Sequence, residues 1–141
     1  MATSPNPVFP QTLNSGNATP AYPTTANTNY ATPTNGFTIY TAGANGSDVD
    51  HVGAMVYATN TAATVDLFIK NGSNYRFCGS VLVGANTVSA TVAKPAYAVC
   101  HIDGTAISVA NPLHLVSGDT LYATTSVTQT TFSINASGKD Y

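Results

Sequence analysis

The stretch Val65-Asp-Leu-Phe-Ile-Lys-Asn-Gly-Ser-Asn-Tyr-Arg-Phe77 decides the fold. In its first half Val65, Leu67 and Ile69 fall on one face, while Thr64, Asp66, Phe68 and Lys70 fall on the other. That period of two belongs to a half-buried strand and not to a helix. Asn71-Gly72 then tolerates the positive φ angles of a tight turn, so the chain is expected to fold back and pair Tyr75 and Phe77 against the first strand.

Similar runs flank this hairpin. Phe37 to Tyr40, His51 to Thr59, Val81 to Val83, Thr87 to Val92, Tyr97 to Ile102, Ala106 to Val109, Leu113 to Val116, Thr120 to Val127 and Thr131 to Asn135 all read as short strands. Turn signals punctuate them at Asn45-Gly46, Asp103-Gly104, Asn111-Pro112 and Ser117-Gly118-Asp119. Lys94-Pro95 interrupts pairing, and Cys78-Gly79 suggests a bulge in the second hairpin strand. About eight to ten strands at this spacing predict an all-β, antiparallel β-sandwich of jelly-roll-like kind. Leu113 and Leu115, set across a Ser-Gly-Asp turn from Leu121, look like one sheet rolling into the next.

The first part of the chain is different. Six of the eight prolines lie between Pro5 and Pro33, among Thr, Asn, Ala and Ser. Proline fixes φ and removes a backbone donor, so residues 1–35 can supply neither a helix nor a central strand. They read as an extended arm on a sandwich domain of residues 36–141. A disordered tail is the plainer alternative. Val8, Phe9, Leu13, Tyr22 and Tyr30 are spaced as apolar anchors for a groove on a neighbouring subunit.

Composition narrows the function. Of 141 residues, 43% are hydrophobic, enough for one core, but only 7% are charged and Glu is absent. A polar, uncharged surface suits strands and turns, and suits a molecule whose faces are covered in an assembly. The net charge of −2, with Lys70, Arg76, Lys94 and Lys139 as the cations, offers no basic stripe for nucleic acid or anionic membrane. No segment approaches the length of an apolar membrane span, and the start of the chain lacks the pattern of a secretory signal, so synthesis in a cytoplasm is expected. Four Asn-x-Ser/Thr patterns, at Asn17, Asn45, Asn71 and Asn135, are what chance supplies in so Asn- and Thr-rich a chain.

Candidate chemistry is sparse. Asp48, Asp50 and His51 form the densest polar cluster, but they lack the further ligands of a calcium loop and read as solvated acids in a loop. His51, His101 and His114 have no metal-ligand spacing, and no serine sits in a nucleophile elbow. Neither catalytic residues nor a metal or other cofactor is expected. Cys78 and Cys100 read as buried thiols, with a disulfide left open. Phe68, Tyr75 and Phe77 form a candidate exposed interaction face, since an aromatic on the second face of a strand is commonly covered by another sheet or subunit, or stacks on sugars or bases.

The segment from His51 to Phe77 resembles small structural proteins of tailed bacteriophages. In those an "Asn-Thr-Thr-Ala … Val-Arg-Leu-Phe-Ile … Asp-Gly" pattern sits mid-chain and a "Leu … Gly-Asp-x-Leu" pattern near the end. Asn60-Thr-Ala-Ala, Val65-Asp-Leu-Phe-Ile, Asn71-Gly72 and Leu115-Val-Ser-Gly-Asp-Thr-Leu121 match them here, with Asp66 where the pattern often carries Arg. The resemblance implies a virion protein with a β-sandwich body, of the decoration or cement kind that sits outside the capsid shell, and it brings no catalytic residues with it. Its expected partners are the major capsid protein and sister copies, as a homotrimer about a capsid threefold axis. The rival reading is a tail fibre or spike module that binds a receptor or glycan.

Overall fold

The structure, a computed structural model, describes residues 12–14, 25–128 and 131–141. Ten strands form two five-stranded antiparallel sheets, and no helix occurs among the described residues. In chain order they are β1 (Thr12–Asn14), β2 (Phe37–Thr41), β3 (Ser47–Val56), β4 (Ala63–Asn71), β5 (Asn74–Val83), β6 (Ala96–Ala98), β7 (Cys100–His101), β8 (Leu113–Leu115), β9 (Thr120–Thr125) and β10 (Phe132–Asp140). The first sheet runs β1-β10-β3-β6, with β8 also on β3; the second runs β2-β9-β4-β5-β7. Successive strands mostly alternate between the sheets, which therefore pack face to face as a sandwich.

The core lies between them. Val65, Leu67 and Ile69 of β4 meet Ile39 and Tyr40 of β2, Leu121 and Ala123 of β9, and Val49, Val52, Ala54, Val56, Ile134 and Ala136 of the opposite sheet. The alternation read from β4 therefore faces the way its period demands. Three bulges adjust the phase. Between Val49↔Gly138 and His51↔Ser137 the residue Asp50 is extra, so Ser47 and Val49 point inward before it and Val52, Ala54 and Val56 after it. In β5 the extra residue is Cys78, between Phe77↔Phe68 and Gly79↔Leu67, at the expected bulge. In β2 it is Ile39, which lets Ile39 and Tyr40 both be buried.

Several expectations need correction. Asp48 and Asp50 lie in β3 with His51 and not in a loop, so the strand expected from His51 begins at Ser47. Residues 87–92 alternate but form no strand, and residues 106–109 contribute only isolated bridges. The hairpin turn falls one residue later than expected. Asn71 pairs with Asn74, leaving Gly72, which supplies the left-handed φ of 57°, and Ser73 as the loop; the Asn71 amide donates to Asp119 Oδ1 at 2.7 Å. The N-terminal stretch does pair: β1 lies antiparallel on the edge of β10, with Leu13 opposite Lys139. An edge is the position its prolines leave open. Cys78 and Cys100 are both free thiols. Cys78 belongs to the core, where burial pushes its pKa up to about 12, whereas Cys100 pairs with Ser80, a residue turned to the outer face.

Candidate interaction surface

The outer face of the second sheet is built from the other half of each strand's alternation. Asp66, Phe68 and Lys70 project from β4, with Ser80, Phe77 and Tyr75 opposite them on β5 and Thr124, Tyr122 and Thr120 opposite them on β9. Residues 25–36 cross this face as a strap. Its near end is pinned by the Asn27 backbone N–H, which donates to Thr125 O at 2.8 Å. Asn27 Oδ1 accepts from Asn29 N and Thr34 N, and Asn29 Oδ1 accepts from Ala31 N and Thr32 N, which closes the segment into consecutive side-chain-capped turns. At the far end Gly36 N donates to Tyr122 Oη at 3.0 Å.

Tyr30 is the point of the strap. Its ring centroid lies 5.8 Å from that of Phe68 and 5.6 Å from that of Phe77, and those two are 5.5 Å apart, so three rings form one tilted and edge-on cluster. Its hydroxyl donates to Asp66 Oδ2 at 2.8 Å, while Ser80 Oγ donates to Asp66 Oδ1 at 2.7 Å and Thr64 Oγ1 to Oδ2 at 3.2 Å. Asp66 is thus a buried carboxylate satisfied by three hydroxyls. The hydrogen bond to Asp66, followed by burial and the charge of that carboxylate, raises the Tyr30 pKa. Two buried polar atoms, Asn27 Nδ2 and Thr124 Oγ1, lack a partner among the described residues. One belongs to the strap and the other to β9, the strand to which the strap is pinned.

The expected sites fall out unevenly. Phe68 is 0% exposed, so it is no part of an exposed face; Tyr30 from the same chain packs on its ring. Tyr75 and Phe77 are half-buried. Tyr75 meets Tyr122 edge-on at 5.5 Å, and the Lys70 ammonium lies 5.5 Å and 5.4 Å from their ring centroids. Of the proposed arm anchors, Tyr30 contacts its own sandwich and Leu13 sits in β1. Val8, Phe9 and Tyr22 lie outside the described residues. Tyr122 and Asp66 were missed as members of this surface, though the inward Leu121 and Leu67 beside them signal their outward direction.

Two further acids are tied into clasps. Asp140 Oδ1 accepts from Tyr40 Oη at 2.8 Å and Ser47 Oγ at 2.6 Å, joining β2 of one sheet to β3 and β10 of the other. Burial, then the bond to Asp140, raises the Tyr40 pKa. Asp48 is held by His114 Nδ1 and by the Tyr141 hydroxyl, whose pKa that bond raises. No group of three His, Cys or Asp side chains is placed to hold a metal ion among the described residues.

Two concavities among the described residues bear on recognition. One, of about 360 Å³, lies on the outer face of the first sheet between His51, Met55, Tyr97 and Asn135, over the small residues Gly53, Ala96 and Ala98. The other, of about 310 Å³, opens at the tip of the β4–β5 hairpin, between Asn71, Asn74, Tyr75 and Arg76 on one side and His114, Val116 and Asp119 on the other. Exposed aliphatics stand elsewhere on the surface and, with Val116, at the second concavity: Leu82, Ile102, Val109 and Val116 are each 65–70% exposed. Such a surface is equipped to recognise by shape, aromatic contact and amide hydrogen bonds. No protein-family model, curated protein or solved structure matches the chain.

Proposed function

We propose that the chain is a non-enzymatic structural protein of a tailed-phage virion, a decoration or cement protein that binds the outer surface of the capsid and stabilises it. The observation that carries this reading is the double engagement of the N-terminal stretch, which adds an edge strand to one sheet and lays Tyr30 over the other. Backbone pairing at an edge and an aromatic plug on a face are interactions that work equally well across a subunit boundary. The arm is thus suited to reach the major capsid protein or a sister copy in a homotrimer. A low-charge body with exposed aliphatics is suited to bury area there without chemistry. The strand orders β1-β10-β3-β6 and β2-β9-β4-β5 support a jelly roll, the pattern of two interlocked Greek keys found in viral capsid and lectin domains.

The test is shell occupancy and solution mass for three chains: the whole protein, a version starting at Thr25 and one starting at Gly36. The Thr25 version loses β1 but keeps the strap, so it is expected to stay folded while its affinity for purified shells falls at least about tenfold, the equivalent of 1.4 kcal/mol. Unchanged occupancy would sink the reading. The Gly36 version is the fold control, because losing Tyr30 uncovers Phe68 and Phe77 and leaves Asp66 short of a donor.

A second reading is favoured by the hairpin-tip cleft. A tail fibre or spike module that binds a receptor or glycan needs a concave site with an aromatic wall and convergent polar groups, and Tyr75, Asn71 and Asn74 are suited to that role. Detectable sugar affinity together with no occupancy on shells would favour it.

A further inference from the structure

We propose that the cleft at the tip of the β4–β5 hairpin binds a single acidic sugar residue, a uronate-type unit of a surface polysaccharide. This deepens the receptor- or glycan-binding reading and rests on it. Its volume of about 310 Å³ is at the small end of ligand sites, which run from roughly 300 to 1,000 Å³, and suits one pyranose ring better than a peptide or an extended oligosaccharide.

Arg76 is the group of the cleft that favours a carboxylate, because the acids near it have their hydrogen bonds inside the fold. Each acid there is already engaged: Asp119 Oδ1 receives the Asn71 amide and Oδ2 the Val116 backbone N–H, at 2.7 and 3.1 Å. Asp48, behind His114, receives the imidazole and the Tyr141 hydroxyl. Arg76 is different. It is exposed, lines the cleft, and has no carboxylate within salt-bridge distance among the described residues, where the one ion pair is His114 with Asp48. A planar guanidinium with its fork free matches a carboxylate in bidentate geometry. The Lys70 ammonium, 5.5 Å from the centroid of Tyr75, adds positive potential on the same hairpin. Two of the chain's four Lys and Arg residues therefore stand on this hairpin, Lys70 opposite Tyr75 and Arg76 on the other face opposite Ile69, in a protein of net charge −2.

The other lining groups suit a sugar. Tyr75 lines the cleft with a ring that also meets Tyr122 edge-on and lies under Lys70, and the amide of Asn74, the Asn71 Oδ1 and the His114 ring offer hydrogen bonds to hydroxyls. Between Asn74 and Phe77 the β5 edge carries no partner strand among the described residues, since β7 pairs only with Gly79 and Ser80, so the approach to Arg76 is open.

The experiment is calorimetric titration of the full chain with glucuronic acid, glucose and sodium phosphate, repeated on Arg76→Gln and Tyr75→Ala. Both side chains lie outside the core, and thermal melts check that the variants fold. Glucuronate is expected to bind at least about tenfold more tightly than glucose, the scale of one hydrogen bond to a charged group. Arg76→Gln should erase that preference, and Tyr75→Ala should weaken both sugars. Equal binding of glucose and glucuronate overturns the acidic-sugar assignment and leaves the glycan reading standing. Binding of neither sugar overturns both. Phosphate binding as tightly as glucuronate, and displacing it, overturns the assignment in favour of a bare anion site.

Discussion

Asp66 shows how one residue couples the strap to the sheet. A buried carboxylate that accepts three hydroxyl bonds, with no cation paired to it among the described residues, is held by hydrogen bonding alone. Asp66→Ala removes the acceptor that Tyr30, Ser80 and Thr64 share, and is expected to lower stability by about 1–3 kcal/mol in urea unfolding. Asp66→Arg should cost more, because it buries a cation among groups that have no negative charge to offer it. An Asp66→Arg protein that unfolds at the parental midpoint would show that the three hydroxyl bonds contribute nothing. The inward side of this strand was legible in the sequence, since Val65, Leu67 and Ile69 repeat with the period of a pleat. The outward side was not. Asp66 and Phe68 read as exposed because their cover comes from residues 25–36, whose Pro, Thr and Asn content carries no periodic signal. The hint available was local: Asn27, Asn29 and Asn35 around Tyr30 are turn formers, and a run of them folds a segment up where an arm would extend.

At the scale of elements, the close approach of backbones sets what the sequence tolerates. Gly79 follows the bulge in β5, and a Cβ there would lie 2.3 Å from the Cys100 carbonyl oxygen, so β7 must move. Gly72, in the hairpin turn, has φ 57° and nothing within 4 Å of such a Cβ. Gly72→Ala therefore meets only the local strain of the left-handed region, about 1–2 kcal/mol, while Gly79→Ala adds displacement of a neighbouring strand and should cost clearly more. Comparison of the two urea midpoints checks the order, and Gly72→Ala being the worse of the pair would refute it. Strand placement was legible wherever one face is buried, as in β2, β4, β8 and β9. It failed at residues 87–92, where half-burial of Val88 against the core repeats the alternation without a partner strand. It also fell short at Asp48 and Asp50, whose acids hid the start of β3 because their donors, His114, Tyr141 and Ser137, are brought in by β8 and the end of the chain.

For the whole molecule, three clasps share one chemistry: a tyrosine hydroxyl on a carboxylate, in Tyr30–Asp66, Tyr40–Asp140 and Tyr141–Asp48. In each the tyrosine pKa stands above the ordinary 10.0. Above that value the unfolded chain loses these protons while the folded chain keeps them. The folded state then binds more protons, and stability falls as pH rises. The contribution is whole below pH 10 and is lost upward through the folded pKa values. Denaturant midpoints should be level with respect to these groups up to about pH 9 and decline beyond pH 10, with phenolate absorbance lagging behind free tyrosine until the protein unfolds. Tyr40→Phe is expected to be less stable at neutral pH but to decline less steeply. A parental midpoint that stays flat to pH 11 would contradict the linkage. None of these pairings was legible, because every tyrosine stands 36 or more positions from its carboxylate and only the closed sandwich brings them together.

The place of β10 has a consequence for how such a protein comes into being. It comes after β1 and β3 in the chain, yet it stands between them in the sheet. While the chain is being made, β3 has no neighbour on that side and β1 has none at all, so neither can settle by waiting for the next residues to arrive. The arrival of β10 joins two strands made well before it, so the edges of β1 and β3 that face each other stay open in the growing chain until β10 has been made.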